Sequence, residues 1–247
     1  MSNHKPTNVG VEIKNLSKNF KNNQAIDNLS INFEPGLLHG IIGPDGAGKT
    51  TFLRILSGLL NPTKGTIQFI DNGKPIAFET IRPFIGYMPS RPSLYPDLSV
   101  EEHLMFFRDL YQLLPEEYEK KSNELLEISR LKVFKDRKAI NLSGGMYKKL
   151  GLMCALLRSP SVLLLDEPTN GVDPISRREL WDLLYRLSDE KILILISTAY
   201  MDEAERCTRV HFIESGKLLE SGIPEIILEK KKIKSFDDLF LRKNQNE

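Results

Sequence analysis

Apolar and polar residues alternate from Val9 to Leu16 and again from Asn28 to Phe33, the two-residue period of half-buried strands. The second run ends at the turn Glu34-Pro35-Gly36. A short apolar run then reads as a buried strand (Leu37, Leu38, Ile41, Ile42). Beyond a glycine-rich loop, Phe52, Leu53, Ile55 and Leu56 recur at helical spacing. Asn61-Pro62-Thr63-Lys64-Gly65 is a turn, Thr66–Ile70 a strand, and Asp71-Asn72-Gly73 a hairpin signal. The first third is therefore strand-rich and partly antiparallel around one central strand.

From Ser99 to about Leu131 the period becomes helical. Ser99 and Glu102 form a capping box, followed by apolar Leu104, Phe107, Leu110 and Tyr111, then Leu125, Leu126 and Ile128. The pattern next predicts a helix over Ser143–Arg158, a buried strand over Val162–Leu165 and a helix over Ser176–Leu187. A strand over Ile192–Ser197, a helix over Met201–Cys207 and a hairpin of Val210–Glu214 with Lys217–Ser221 about Gly216 follow. After Pro224 the tail carries Lys230-Lys231-Lys232 and a short apolar helix ending near Leu241. No internal repeat or low-complexity tract is present.

The 247 residues suit one large α/β domain or one domain with a small insert, and a hydrophobic fraction of 40% supplies a core. The net charge of +1 gives no field for gathering nucleic acid, and no such partner is expected. The two cysteines, Cys154 and Cys207, lack metal or disulfide spacing and read as packing residues of a reducing compartment. The polar N-terminus has no secretory apolar region, and no apolar run approaches the roughly 20 residues that cross a bilayer. A soluble protein is expected, with any membrane role acting through a partner.

The chemistry concentrates in the glycine-rich loop. Gly43-Pro44-Asp45-Gly46-Ala47-Gly48-Lys49-Thr50 fits G-x-x-x-x-G-K-[ST], between strand and helix. The glycines let successive N–H groups face phosphate oxygens, and the helix brings its positive end to them. Lys49 reaches the terminal phosphates of a nucleoside triphosphate, the Thr50 hydroxyl serves Mg²⁺, and Thr51 completes the nucleotide-binding set. Val162-Leu163-Leu164-Leu165-Asp166-Glu167 is a buried strand ending in acids. Asp166 is placed to hold Mg²⁺ through water, and Glu167 to orient or deprotonate the attacking water. Ser143, Gly144 and Gly145 open a helix and offer a second anion site.

These segments, with Pro168-Thr169-Asn170-Gly171-Val172-Asp173, resemble in order and spacing the nucleotide-binding subunit of ATP-binding cassette (ABC) transporters. The likeness runs from about Val9 to Gly222. It implies a P-loop NTPase core with a mostly parallel sheet, an antiparallel β subdomain and a helical subdomain. The expected division is a core of residues 9–98 and 140–222, a helical subdomain of 99–139 and a tail of 223–247. The resemblance implies ATP and Mg²⁺ as ligands and a second cassette, identical or different, packed head to tail. Each ATP would then sit between one phosphate loop and the partner's Leu142–Gly145 equivalent. Asn170–Asp173 would speak across that dimer, and a membrane-spanning subunit would hold the protein at the cytoplasmic face of the membrane. The pattern alone makes Phe20 a packing residue of an edge strand, whereas the resemblance makes it the aromatic stacked on adenine. Gly43–Gly48, Ser93–Val100 and Tyr200–Glu205 extend the resemblance to the ABC-2 exporter branch, nearest the first half of bacterial tandem-cassette drug-efflux ATPases.

Two positions depart from the family pattern. Tyr87-Met88-Pro89 is followed by Ser90 where the family has Gln, and Ile196-Ser197-Thr198 by Ala199 where it has His. The four histidines are His4, His39, His103 and His211, none at that place, and His39 reads as a satisfied core histidine. A positioned donor lost from a transition state costs about 2.7–4 kcal/mol, so hydrolysis is expected to suffer more than binding. Three readings follow: a transport ATPase, a regulatory cassette that closes without much turnover, and a soluble cassette acting on ribosomes or DNA. The last would need paired cassettes, a coiled-coil insert or a basic face, which the sequence does not show. The segment Arg91–Asp97 is either plain surface loop or part of the membrane-partner dock. The Lys230–Lys234 run is either a solvated face or a lipid contact.

Overall fold

Two sheets share one apolar interior in the computed structural model, which describes residues 5–21, 23–233, 235, 236 and 238. The first is antiparallel, ordered β2-β1-β4-β5, from β1 (Val9–Phe20), β2 (Asn23–Phe33), β4 (Lys64–Asp71) and β5 (Lys74–Ile76). Val9, Val11 and Ile13 point inward on alternate positions, and then Leu16 does, out of phase. The pairing register slips between Ile13 and Leu16, where Asn15 takes φ 51°. One residue is absorbed there, so the buried face resumes at Leu16.

The second sheet is ordered β10-β9-β3-β8-β7-β6. Its strands are β3 (Leu38–Ile42), β6 (Ile85–Met88), β7 (Val162–Asp166), β8 (Leu193–Thr198), β9 (Arg209–Glu214) and β10 (Lys217–Gly222). All neighbours run parallel except the β9–β10 hairpin. The central strands β3, β7 and β8 are buried throughout because both faces of the sheet are covered. On one face lie the antiparallel sheet and α1 (Lys49–Leu56), which inserts Phe52 and Leu53. On the other lie α5 (Gly144–Leu156) and α6 (Pro174–Asp189), with Trp181 and Leu184 in the core.

The helical stretch predicted as one run is two helices, α3 (Val100–Tyr111) and α4 (Pro115–Ile128). Gln112 ends α3 in the left-handed conformation (φ 54°), and Pro115 opens α4, since proline cannot continue a helix. This excursion closes on itself at its neck, where Ala139 N–H donates to Leu98 O and Val100 N–H to Arg137 O. The segment predicted as a helix over Met201–Cys207 is a 3₁₀ turn, Met201–Arg206. Its Glu203 is drawn inward to Arg177, Trp181 and Thr169, which tightens the turn. The pattern did not reveal β6 or the single-turn α2 (Phe78–Ile81). β6 is four residues long and interrupted by Gly86, too short for a period. In the tail, α7 (Pro224–Lys231) buries Ile227 and is followed by Phe236, whose ring lies tilted against Phe212 with centroids 4.8 Å apart. The tail helix predicted to end near Leu241 lies mostly outside the described residues, as does Lys234. No helix among the described residues is long and apolar enough to cross a membrane.

Candidate nucleotide site

The parallel strands all point their C-terminal ends to one edge, where ligands of open α/β sheets bind. There β3 runs into the loop Gly43–Thr50 and then α1. The loop's path demands glycine at two places. A Cβ on Gly43 would stand 2.0 Å from Ile213 O. Gly48 has φ 103°, and its Cβ would meet Ala25 O at 2.3 Å. Gly216 N–H donates to Ala47 O at 3.0 Å, fastening the loop to the β9–β10 turn. No side chain caps α1, and its N-terminal end opens on the cleft.

The cleft holds about 500 Å³ and is lined by Asp45–Thr51, Glu167, Phe20 and the edge residues Asn23, Gln24, Ala25 and Ser215. Phe20, at the end of β1, is 42% exposed on the cleft. The Lys18 ammonium lies 5.0 Å from its ring centroid.

Lys49 is buried, and its ammonium donates to Gly43 O (2.7 Å) and Pro44 O (2.9 Å). It stands 3.9 Å from Glu167 Oε1. Burial pushes the Lys49 amine below its ordinary range, and Glu167, Asp45 and Asp166 oppose that shift. Thr50 Oγ1 donates to Asp166 Oδ1 at 3.0 Å, and Ser197 Oγ donates to the same oxygen at 2.7 Å. The other oxygen, Asp166 Oδ2, is buried with no hydrogen-bond partner. A buried carboxylate oxygen without a donor, beside a threonine hydroxyl, fits a hydrated divalent cation.

Glu167 follows β7 with φ 47°. Its N–H donates to Ser197 Oγ (3.0 Å) and lies 3.1 Å from Ser197 O, and its Oε2 accepts from Asn170 Nδ2 (3.0 Å). Lys148, buried on α5, donates to Glu167 O at 3.0 Å and to Ser90 O. Thus Ser90, too short to extend a polar arm into the cleft, is tied by its carbonyl to the backbone behind Glu167. Ala199 sits beside a smaller recess of about 160 Å³ between Asp45, Glu167, Asn170 and Tyr200.

The cleft gathers Phe20, the phosphate loop and Glu167, with Asp166 buried behind Thr50, but not Ser143, Gly144 and Gly145. Ser143 accepts from Met146 N at 3.3 Å and caps α5. A Cβ on Gly145 would come within 2.4 Å of Ser176, and one on Gly144 within 3.3 Å of Gly171 O. These glycines pack closely on the Asn170–Ser176 segment of their own chain. Composition and spacing did not single out Ser197, Lys148 or Tyr200. Ser197 is recognisable only as the inward end of an apolar strand, and Lys148 only as a cation inside a buried helix.

His39 is the satisfied core histidine that the sequence suggests. It is buried between β9 and Phe33, with Nδ1 2.9 Å from His211 Nε2 and Nε2 3.2 Å from Glu34 O.

A family model described as ABC transporter matches residues 26–170. The probable multidrug ABC transporter ATP-binding protein YbhF of Escherichia coli (strain K12) is 43% identical over 229 residues. That alignment takes in 92% of this chain but 39% of the relative, so the chain spans about two fifths of that protein's length. The Nod factor export ATP-binding protein I of Burkholderia lata is 37% identical over 220 residues, covering 89% of this chain and 72% of the relative. A solved ATP-binding subunit of an ABC transporter superposes with a TM-score of 0.81 at 30% identity, covering 94% of this chain and 98% of that one. The dimeric bacterial cassette MJ0796 superposes at 0.75 with 26% identity, over 86% of this chain and 98% of that one. Motif, cleft and likeness agree: the chain belongs to the ABC transporter family, as one of its ATP-binding cassettes.

Proposed function

We propose that this cassette binds Mg-ATP in the cleft between Phe20 and Glu167, hydrolyses it, and so powers an exporter of the ABC-2 type. The observation that carries the reading is the convergence of Lys49, Thr50, Asp166 and Glu167 on one edge of the parallel sheet. The first N–H groups of α1 and the Lys49 ammonium cradle the β- and γ-phosphates. Phe20 stacks on the base. Thr50 and, through water, the unpartnered oxygen of Asp166 hold Mg²⁺, which when bound supplies charge neutralisation of the phosphates. Glu167, one residue beyond the cation-holding acid, takes the proton from the attacking water.

Head-to-tail pairing with a second cassette would bring Ser143, Gly144 and Gly145 of one chain to the ATP of the other. A solved relative is described as dimeric, and another structure of it as a post-hydrolysis state with ADP and Pi. The names of the relatives point to export of small molecules, multidrug substrates in one and Nod factor in another. Residues 99–139 would act as a lever between cleft and membrane subunit, with Arg91–Asp97 at its edge and residues 223–247 as an appended tail. The protein would then sit at the cytoplasmic face of the membrane. Ser90 and Ala199 favour one further reading, in which this chain hydrolyses little and its Ser143–Gly145 completes a partner's site. Sedimentation of Glu167→Gln with ATP and Mg²⁺ tests the pairing. Dimer that forms with Mg-ATP and dissolves with EDTA or with Lys49→Ala supports it, and a monomer under all conditions contradicts it.

A further inference from the structure

We infer that Asn170 and Tyr200 position the Glu167 carboxylate, reaching it beside Ala199, whose side chain has no hydrogen-bonding group. The inference rests on the reading of Glu167 as the base. A glutamate with three side-chain torsions needs an anchor if one oxygen is to face the attacking water. Here Oε2 accepts the amide N–H of Asn170 at 3.0 Å, while Oε1 lies toward Lys49 at 3.9 Å. An amide has a donor and an acceptor end, and which end faces Glu167 depends on what the other end meets. Asn170 Oδ1 meets the Tyr200 hydroxyl at 3.4 Å, a long contact of the kind that tightens when a ligand closes the site. The hydroxyl donates, so the amide N–H is kept toward the carboxylate.

Tyr200 is itself held. Its N–H donates to Thr198 Oγ1 at 3.0 Å, and the Arg177 guanidinium lies 4.7 Å from its ring centroid. Arg177 in turn bonds Glu203 at 2.8 Å and both oxygens of Asp202 at 3.0 Å. Glu203 is fully buried, and Trp181 Nε1 (3.2 Å) and Thr169 Oγ1 (3.1 Å) also donate to it. A continuous set of contacts therefore runs from the core through Arg177, Tyr200 and Asn170 to the carboxylate. The recess of about 160 Å³ beside the Ala199 methyl is flanked by these same residues, so the anchor reaches Glu167 around the space that a larger side chain would take. Asn170 and Tyr200 touch no reacting atom in this account; they are positioning residues.

The test measures kcat for Mg-ATP hydrolysis and ATP affinity in parallel on the full chain, for wild type, Glu167→Gln, Asn170→Ala, Tyr200→Phe and Ala199→His, the last also combined with Asn170→Ala. Loss of the anchor misplaces the base, so Asn170→Ala is expected to lower kcat about ten- to a hundredfold with ATP affinity nearly unchanged. Tyr200→Phe lowers kcat by a smaller factor, and Ala199→His restores much of the rate to Asn170→Ala, a rescue that a merely structural role would not give. If Glu167→Gln stops turnover while Asn170→Ala and Tyr200→Phe hydrolyse like wild type, the inference is overturned and the base assignment stands. If Glu167→Gln hydrolyses like wild type, the base assignment falls and the inference with it.

Discussion

The two walls of the nucleotide cleft are built differently. The phosphate loop is shaped by backbone: glycines that no other residue can replace, uncapped N–H groups, and a lysine folded over the loop's own carbonyls. The opposite wall, from Asp166 to Tyr200, is shaped by side chains that hold one another. A backbone device makes substitution costly where a Cβ would meet backbone, as at Gly43 and Gly48, whereas a side-chain device can be rebuilt from other residues. Binding and hydrolysis should therefore separate under mutation.

The largest separation is expected from Lys49→Ala against Glu167→Gln. The first removes the cation that meets the terminal phosphates, so both ATP binding and turnover are lost in a binding titration and a phosphate-release assay. The second leaves the phosphate wall whole, so binding survives while turnover falls by about a hundred- to thousandfold. Equal loss of binding in both would erase the distinction between the walls. Next comes Gly48→Ala, which places a Cβ 2.3 Å from a backbone oxygen at φ 103°. A cost of about 1–3 kcal/mol in denaturant unfolding is expected, with weakened ATP binding. By contrast, Ala199→Gly should leave the unfolding free energy within about 1 kcal/mol of wild type. Phe20→Ala is a smaller change on the binding side: loss of stacking worth about 1–3 kcal/mol per base should weaken ATP affinity without changing the rate at saturation.

An effect of another kind, on stability against pH, lies away from the cleft in the β3–β9 histidine pair. Burial lowers His39 to about 4 and, with His39 and Arg209 nearby, His211 to about 3, against an ordinary 6.5. The unfolded chain takes up these protons first on acidification, so the folded state loses stability as pH falls from about 6.5 toward 4. The slope approaches about 1.4 kcal/mol per pH unit for each imidazole, and is absent above pH 7. Unfolding midpoints across that range check it, and His211→Gln should flatten the curve.

The phosphate loop and the Asp166–Glu167 strand end were legible because local chain geometry alone makes them. A strand, a glycine turn and a helix start are contiguous in sequence, and so is a buried strand ending in acids. What escaped the pattern is long-range. Asn170 reaches Glu167, yet its partner Tyr200 comes from a loop thirty residues on. Lys148 binds the Ser90 carbonyl across the gap between two elements. The strand β6 is too short to show a period, and the turn Met201–Arg206 is tightened by a buried Glu203 whose partners lie on α6 and the Thr169 loop. Leu142–Gly145 was legible as a motif, but the ligand proposed for it would be held by a second cassette, identical or different.

Steady-state Mg-ATP hydrolysis by the purified chain, beside Glu167→Gln and with ATP binding measured on both, tests the central claim most directly. Turnover that vanishes in Glu167→Gln while ATP binding persists is the predicted result, and shows a cassette that hydrolyses without the usual glutamine and histidine. Tight binding with no Glu167-dependent turnover in either protein would contradict it and leave this chain as the non-hydrolysing half of a pair.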